Sequence, residues 1–227
     1  MPSLISANMP IIELRDVRKS YSGVSEQNVL KGIDLDVDGG EFCAIIGRSG
    51  SGKSTLLNLV GAMDNADGGR IRVAGMDLTA LSEQQRCKVR RHHIGFVFQA
   101  YNLLPTLTIA ENVELPLELI NQRDRSRVPA LLERLGLTDK ARRFPGELSG
   151  GEQQRAAIAR ALVHQPAVVI ADEPTGNLDL ETGRQVVGLL ENVIAETNTS
   201  LIMATHSLDV VGQADQVHAL KDGTLES

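Results

Sequence analysis

Short apolar runs closed by a polar or charged side chain recur along this chain. Phe42 to Ile46 (FCAII), Ile94 to Phe98 (IGFVF) and Leu201 to Ala204 (LIMA) read as strands, and Ala167 to Ala171 (AVVIA) is uninterrupted, as expected in a parallel sheet covered on both faces. Ile11 to Val17 alternates enough for a strand, and Val29 to Val37 repeats the pattern with Leu35 and Val37 on one face. Asp67-Gly68-Gly69 is a turn signal, followed by a short strand at Arg70 to Val73 and another turn at Ala74-Gly75. Val217 to Leu220, a turn at Asp222-Gly223 and Thr224-Leu225 close the chain as a small hairpin.

Helical spacing takes over elsewhere. An apolar helix opens at Lys53 or Ser54, Ser82 caps a second, and residues from Thr108 to about Leu137 turn helical with Gly136 as a stop. Pro105, Pro116 and Pro129 break that stretch into short pieces, an inserted lobe with its own small core. Leu148 to Arg155 (LSGGEQQR) leads into a helix that runs through Leu162 and ends before Pro166.

Size and charge narrow the classes. The 227 residues, 42% hydrophobic and 23% charged, make one large domain or two small ones with a proper core. A net charge of -6 argues against a general nucleic-acid binder, so no nucleic acid is expected as a partner. Cys43 and Cys87 lie far apart, and Cys43 sits inside an apolar strand, which fits a buried thiol in a reducing compartment. No apolar run approaches the roughly 18 residues of a membrane span. The start, MPSLISANMPIIEL, has no basic residue before Arg15 and lacks the charged front of a secretory signal. A cytoplasmic protein is expected, with any membrane role supplied by a partner.

The chemistry gathers after Phe42 to Ile46. Gly47, Gly52, Lys53 and Ser54 match the phosphate-binding pattern G-x-x-x-x-G-K-[ST] without a gap, with a strand before and a helix after. Glycines let the backbone approach closely, successive N–H groups form an anion nest, and the helix points its positive end at the same spot. Lys53 adds a mobile charge for the outer phosphates, and the Ser54 hydroxyl suits Mg²⁺. Asp172 and Glu173, adjacent at a strand tip, are unfavourable without a cation; Asp172 would hold Mg²⁺ and Glu173 would orient the attacking water. Gln99, at the end of a strand, would reach Mg²⁺ or that water, or is a strand-ending surface residue. His206 is a candidate donor to the γ-phosphate, or a helix cap before Ser207.

Other features carry two readings each. Tyr21, in a polar turn, either stacks on a base or caps the edge of a small sheet. Arg86, Lys88, Arg90, Arg91, His92 and His93 would bind phosphates or lipid headgroups, or form a solvated helix face. Ser149 and Glu152 fit a capping box, which does not account for Gly150 and Gly151 at a helix start; that start is a second anion site in waiting.

Together, Tyr21, GRSGSGKS at 47 to 54, Gln99, LSGGEQQR at 148 to 155, AVVIADE at 167 to 173, GNLD at 176 to 179 and His206 resemble the ATP-binding subunit of an ABC transporter. IGFVFQAYNLLPTLTIAENVELPL and DEPTGNLD are similar to the LolD/MacB-like branch. The resemblance implies an α/β fold: a P-loop NTPase (RecA-like) core with an N-terminal antiparallel β subdomain, residues 11–98 and 164–227, and an α-helical subdomain inserted at 99–163. It implies ATP and Mg²⁺ as cofactors, with Arg48, Ser49, Gly50, Ser51 and Thr55 joining the motif residues around the nucleotide. It also implies a homodimer in which Ser149 to Glu152 of one copy close the site of the other and Asn177 to Asp179 communicate across the interface. The partner would be a permease with a large extracytoplasmic domain, holding this chain on the cytoplasmic side of the inner membrane. GAMDNADGGRI departs from that branch's usual Pro-Thr-x-Gly turn, a departure expected to touch a surface turn and leave the chemistry untouched. A cytosolic ABC ATPase of DNA repair or translation would need coiled-coil insertions or two cassettes, and a P-loop kinase or GTPase would leave LSGGEQQR unexplained.

Overall fold

The computed structural model describes residues 10–22, 26–206, 211 and 214–226; the N-terminal stretch 1–9, read above for a signal, and Ser207 lie outside the described residues. A four-stranded antiparallel sheet has the order β2 (Glu26–Val37), β1 (Ile12–Ser22), β4 (Gly68–Val73), β5 (Met76–Asp77). The main sheet has six strands in the order β10 (Thr224–Glu226), β9 (Gln216–Lys221), β3 (Phe42–Ile46), β8 (Ser200–Thr205), β7 (Val168–Asp172), β6 (Ile94–Phe98), all parallel except β10 on β9.

Successive side chains in the parallel strands feed two different cores, which is why their sequences are apolar without alternation. Cys43, Ile45, Val168, Ile170, Ile202 and Ala204 pack towards helix α1 (Lys53–Val60) and the antiparallel sheet. Ala44, Val97, Val169, Ala171, Leu201 and Met203 pack into the core shared with α3 (Ile109–Leu119), α4 (Arg127–Arg134), α5 (Gly150–Leu162) and α6 (Leu180–Thr197). Both cysteines are free, and burial pushes the Cys43 thiol up to about 12, so it is inert.

Three expectations need correction. Gly68 and Gly69 reverse nothing: they begin β4, where a register shift against β1 between Arg15 and Arg18 marks a bulge. Gly69 has φ +83, and a Cβ there would lie 2.3 Å from the Asp16 carbonyl oxygen, so the glycine serves close backbone approach. Pro116 does not break the inserted lobe; it sits inside α3, while Pro129 falls in the first turn of α4, where a missing N–H costs nothing. The longest helix, α6, has no counterpart among the elements expected from the sequence. Ala74 and Gly75, both at positive φ, do form the tight turn from β4 to β5.

Register places the functional strand ends together. Ile46 pairs with Thr205, Asp172 with Ala204, and Phe98 with Asp172, so the residues that follow β3, β6, β7 and β8 emerge along one edge.

Candidate functional site

The loop after β3 turns into α1 through Gly50 (φ +79) and Gly52 (φ +105), the latter capping the helix without a side chain. No acidic residue lies in the first turn of α1, so its N–H groups and dipole are free to meet an anion. Lys53 is buried at 6% exposure and lies back along the loop, donating from Nζ to the carbonyls of Gly47 at 2.8 Å and Arg48 at 3.3 Å. Its Nζ is also 3.4 Å from Glu173 Oε1.

The two carboxylates differ in environment. Ser54 lies beside Asp172 and lowers its carboxyl, while Asp172 Oδ1 is buried with no partner. Burial, and then the neighbouring Glu173, raise its carboxyl above the ordinary value against the pull of Ser54 and Lys53. An orphaned buried carboxylate oxygen beside a serine hydroxyl fits a divalent cation. Among the described residues no three His, Cys, Asp or Glu side chains group to hold a metal by themselves, so a cation here would take further oxygens from phosphates. Glu173 adopts φ +48, a left-handed conformation that a side chain with a Cβ disfavours. Backbone bonds from its N–H to the Ala204 carbonyl (2.9 Å) and from the Gly176 N–H to its own carbonyl (3.0 Å) hold it there. Its Oε2 meets His206 Nδ1 at 2.6 Å. Lys53, Glu173 and His206 thus form one contact chain across the loop.

A cleft of about 790 Å³ opens above this chain, lined by Tyr21, Arg48, Ser49, Gly50, Gly52, Lys53, Ser54, Thr55, Gln99, Glu173 and His206. Gly47 and Ser51 line a second cleft that shares the loop, where the Ser51 hydroxyl is buried without a partner. Gln99 reaches the rim, but its amide is engaged: Nε2 donates to Asn177 Oδ1 at 3.2 Å, and Asn177 donates back to the Gln99 carbonyl at 2.9 Å. Gly176 makes that pairing possible, since a Cβ there would fall 2.5 Å from Gln99 Nε2.

Ser149, Gly150, Gly151 and Glu152 are not among the residues lining this cleft. Ser149 and Glu152 form the capping box on α5, the Ser149 hydroxyl donating to Glu152 Oε2 at 2.8 Å. The glycines meet neighbours in their own chain: a Cβ would come within 2.8 Å of the Tyr101 hydroxyl at Gly150 and 2.6 Å of Thr182 at Gly151. Tyr101 and Thr182 carried no signal in the sequence for this contact.

Tyr21 stands at the end of a sheet strand and on the rim of the cleft. Its hydroxyl donates to Asp64 Oδ2 at 2.8 Å. Asp64 belongs to the GAMDNADGGRI segment, which thus reaches a residue on the rim of the cleft. In the basic helix α2 (Glu83–His93), Arg86 and Arg90 pair with Glu83, and Arg90 also donates to the Ala62 carbonyl, so part of the cluster fastens the fold.

An apolar cleft of about 390 Å³ lies between β6 and α3, with Phe96, Phe98, Leu115, Leu119 and Met63 on its walls and Arg91 and His164 among its polar members. Burial pushes the His164 ring down to about 4 from 6.5, its Nε2 meeting only the Ile94 carbonyl. A histidine depressed in the folded state binds its proton better when unfolded, so stability falls as pH drops from 6.5 towards 4. Urea titrations at about pH 7 and about pH 5 should show a loss roughly 2 kcal/mol larger in the parent than in His164→Gln. Equal losses would show that the ring protonates in place.

The ABC transporter family model matches residues 30–176. An uncharacterized ABC transporter ATP-binding protein of Mycobacterium tuberculosis (strain H37Rv) is 46% identical over 220 residues, 95% of this chain and 89% of that protein. The macrolide export ATP-binding/permease protein MacB of Escherichia coli (strain K12) is 44% identical over 220 residues, and the chain spans only 34% of its length. Among solved structures, the dimeric cassette MJ0796 in a post-hydrolysis state bound to ADP and Pi matches with TM-score 0.86 and 39% identity, covering 95% of this chain and 97% of that one.

Proposed function

The chain belongs to the ABC transporter family and is an ATPase of that family; on that premise we propose that it powers a membrane transporter or mechanotransmission complex of the LolD/MacB type, in lipoprotein release or in peptide or drug export. The observation that carries the reading is the Lys53–Glu173–His206 contact chain set across the phosphate loop.

ATP would lie along the loop with its base against Tyr21 and its phosphates on the N–H groups of residues 47–55. Lys53 would exchange its carbonyl partners, Gly47 and Arg48, for phosphate oxygens. Glu173, released from Lys53, orients the attacking water, and His206 donates to the γ-phosphate. Asp172, Ser54 and Gln99 would hold Mg²⁺, which when bound neutralises charge on the phosphate oxygens. Gln99 would offer its Oε1 to the cation while Nε2 keeps its bond to Asn177, a pairing that links the γ-phosphate to the 177–179 segment and to the helical lobe. The exposed γ-phosphate is closed by Ser149 to Glu152 of a second copy, since these residues do not line the cleft of their own protomer. Two ATP molecules are then buried between two copies, as the dimeric state of the MJ0796 cassette supports.

Among the described residues no helix is long and apolar enough to cross a membrane, and the proposed span is that of a permease. The cleft between β6 and α3, with Leu119 52% and Met63 45% exposed at its walls, is the proposed seat of that permease. Affinity purification of Glu173→Gln from detergent-solubilised membranes with ATP is expected to recover a dimer together with a membrane protein bearing a large extracytoplasmic domain. Adding Ser149→Arg should remove the dimer while nucleotide still binds the monomer. Recovery of soluble proteins alone would move the ATPase away from transport, and an intact Ser149→Arg dimer would overturn the sandwich.

A further inference from the structure

We infer that Asp64, fixed by the buried Lys19, is a positioning residue for Tyr21: it holds the phenol ring at the rim of the nucleotide cleft with one face left for a nucleobase. The inference rests on the proposed stacking role of Tyr21 and goes beyond it.

Tyr21 is 42% exposed at a strand end, so packing alone leaves its ring room to turn. Here the hydroxyl is fixed by Asp64 Oδ2 at 2.8 Å. The other carboxylate oxygen of Asp64 accepts from Lys19 Nζ at 3.1 Å and from the Asn65 N–H at 2.6 Å. Lys19 is only 7% exposed; its Nζ also donates to the Asn65 carbonyl at 2.7 Å and lies 3.6 Å from Asp67. The same Nζ stands 5.0 Å from the centroid of the Tyr21 ring, placing a cation over one face of a ring that lines the cleft. The segment is in turn tied to the phosphate-loop helix, with the Met63 N–H donating to the Asn58 carbonyl at 2.8 Å. Ring and phosphate loop are therefore held at a fixed separation, the arrangement that lets base and triphosphate bind together without an ordering cost.

The titration directions agree with this geometry. Burial works against the Asp64 charge, yet the Asn65 N–H, Tyr21 and Lys19 together hold its carboxyl below the ordinary value, so it remains an acceptor at neutral pH. Burial, with the bond to Asp64, raises the Tyr21 phenol, so it remains a donor.

The test compares ATP with inorganic tripolyphosphate, which has no base, by calorimetry on the whole chain, alongside steady-state ATPase assays. Asp64→Asn should weaken ATP binding about 3- to 10-fold, raise KM with kcat unchanged, and leave tripolyphosphate binding as it was. Tyr21→Phe, which keeps the ring and loses the bond, should match it, and the double variant should lose no more than either single one. Tyr21→Ala should lose about tenfold or more for ATP alone, as removal of a stacking platform does. If Tyr21→Ala weakens ATP while Asp64→Asn and Tyr21→Phe do not, the positioning role is wrong and the stacking role stands. If Tyr21→Ala has no effect, the stacking role itself fails. Equal loss for both ligands would make Asp64 a purely structural residue, and Tyr21→Phe decides the matter should Asp64→Asn not fold.

Discussion

Glu173→Gln is expected to bind ATP, to release phosphate about 10² to 10⁴ times more slowly than the parent, and to accumulate as an ATP-bound dimer. The amide preserves the size and the strained backbone of a residue at φ +48, so the Ala204 and Gly176 backbone bonds and the shape of the cleft survive. What is lost is a proton acceptor and a negative charge. The lost acceptor slows the chemical step, because no other carboxylate among the residues lining the cleft can replace it. The lost charge acts on binding in the opposite sense. Glu173 adds to the burial that raises the Asp172 carboxyl, and its oxygens hold the Lys53 ammonium and the His206 ring, both of which a triphosphate would recruit. Neutralising it releases both and removes one repulsion from the γ-phosphate, so the closed state lasts longer. Phosphate release and size-exclusion chromatography with ATP check the two halves; parent-like turnover would refute the water-orienting role.

The parallel strands were legible because each must bury both faces, which forces five apolar residues in a row; Phe42–Ile46 and Ile94–Phe98 fall where the runs lie. The glycine-rich loop before α1 and the adjacent carboxylates at the end of β7 were legible because close backbone approach and charge repulsion restrict residue types over a few positions. Contacts made across the fold left no such trace. Asp64 and Tyr21 are 43 positions apart and Gln99 and Asn177 are 78, and nothing local distinguishes a clamp from a surface Asp or Asn. Gly150 and Gly151 signalled close approach, but their neighbours, Tyr101 and Thr182, come from elsewhere in the chain. In α6, Val186, Val187, Leu190, Val193 and Ile194 do carry helical spacing, set after a polar opening at Glu181 to Arg184 that masks it.

Lys53→Ala should abolish productive ATP binding while leaving the fold intact. The side chain is 6% exposed, which at first suggests a structural cation whose loss would unfold the protein. Its partners argue otherwise. Arg48 and the 19% exposed Glu173 side chain line the open cleft and Gly47 lines its neighbour, so water can replace an ammonium donor at small cost. Removing the lysine also leaves Glu173 with His206 rather than unpaired. Stability without nucleotide should therefore change by no more than about 1 kcal/mol. With nucleotide the balance is different, because each charge-assisted bond to a phosphate contributes roughly 1.5 to 3 kcal/mol and Lys53 is the cation on the loop nearest the carboxylates. Thermal melting separates the two effects. ATP at 100 times its Kd should stabilise the parent by about 2.7 kcal/mol, and that increment should vanish in Lys53→Ala with the nucleotide-free melting temperature nearly unchanged. A variant that retains the increment and near-parent turnover would show that the loop is not the site.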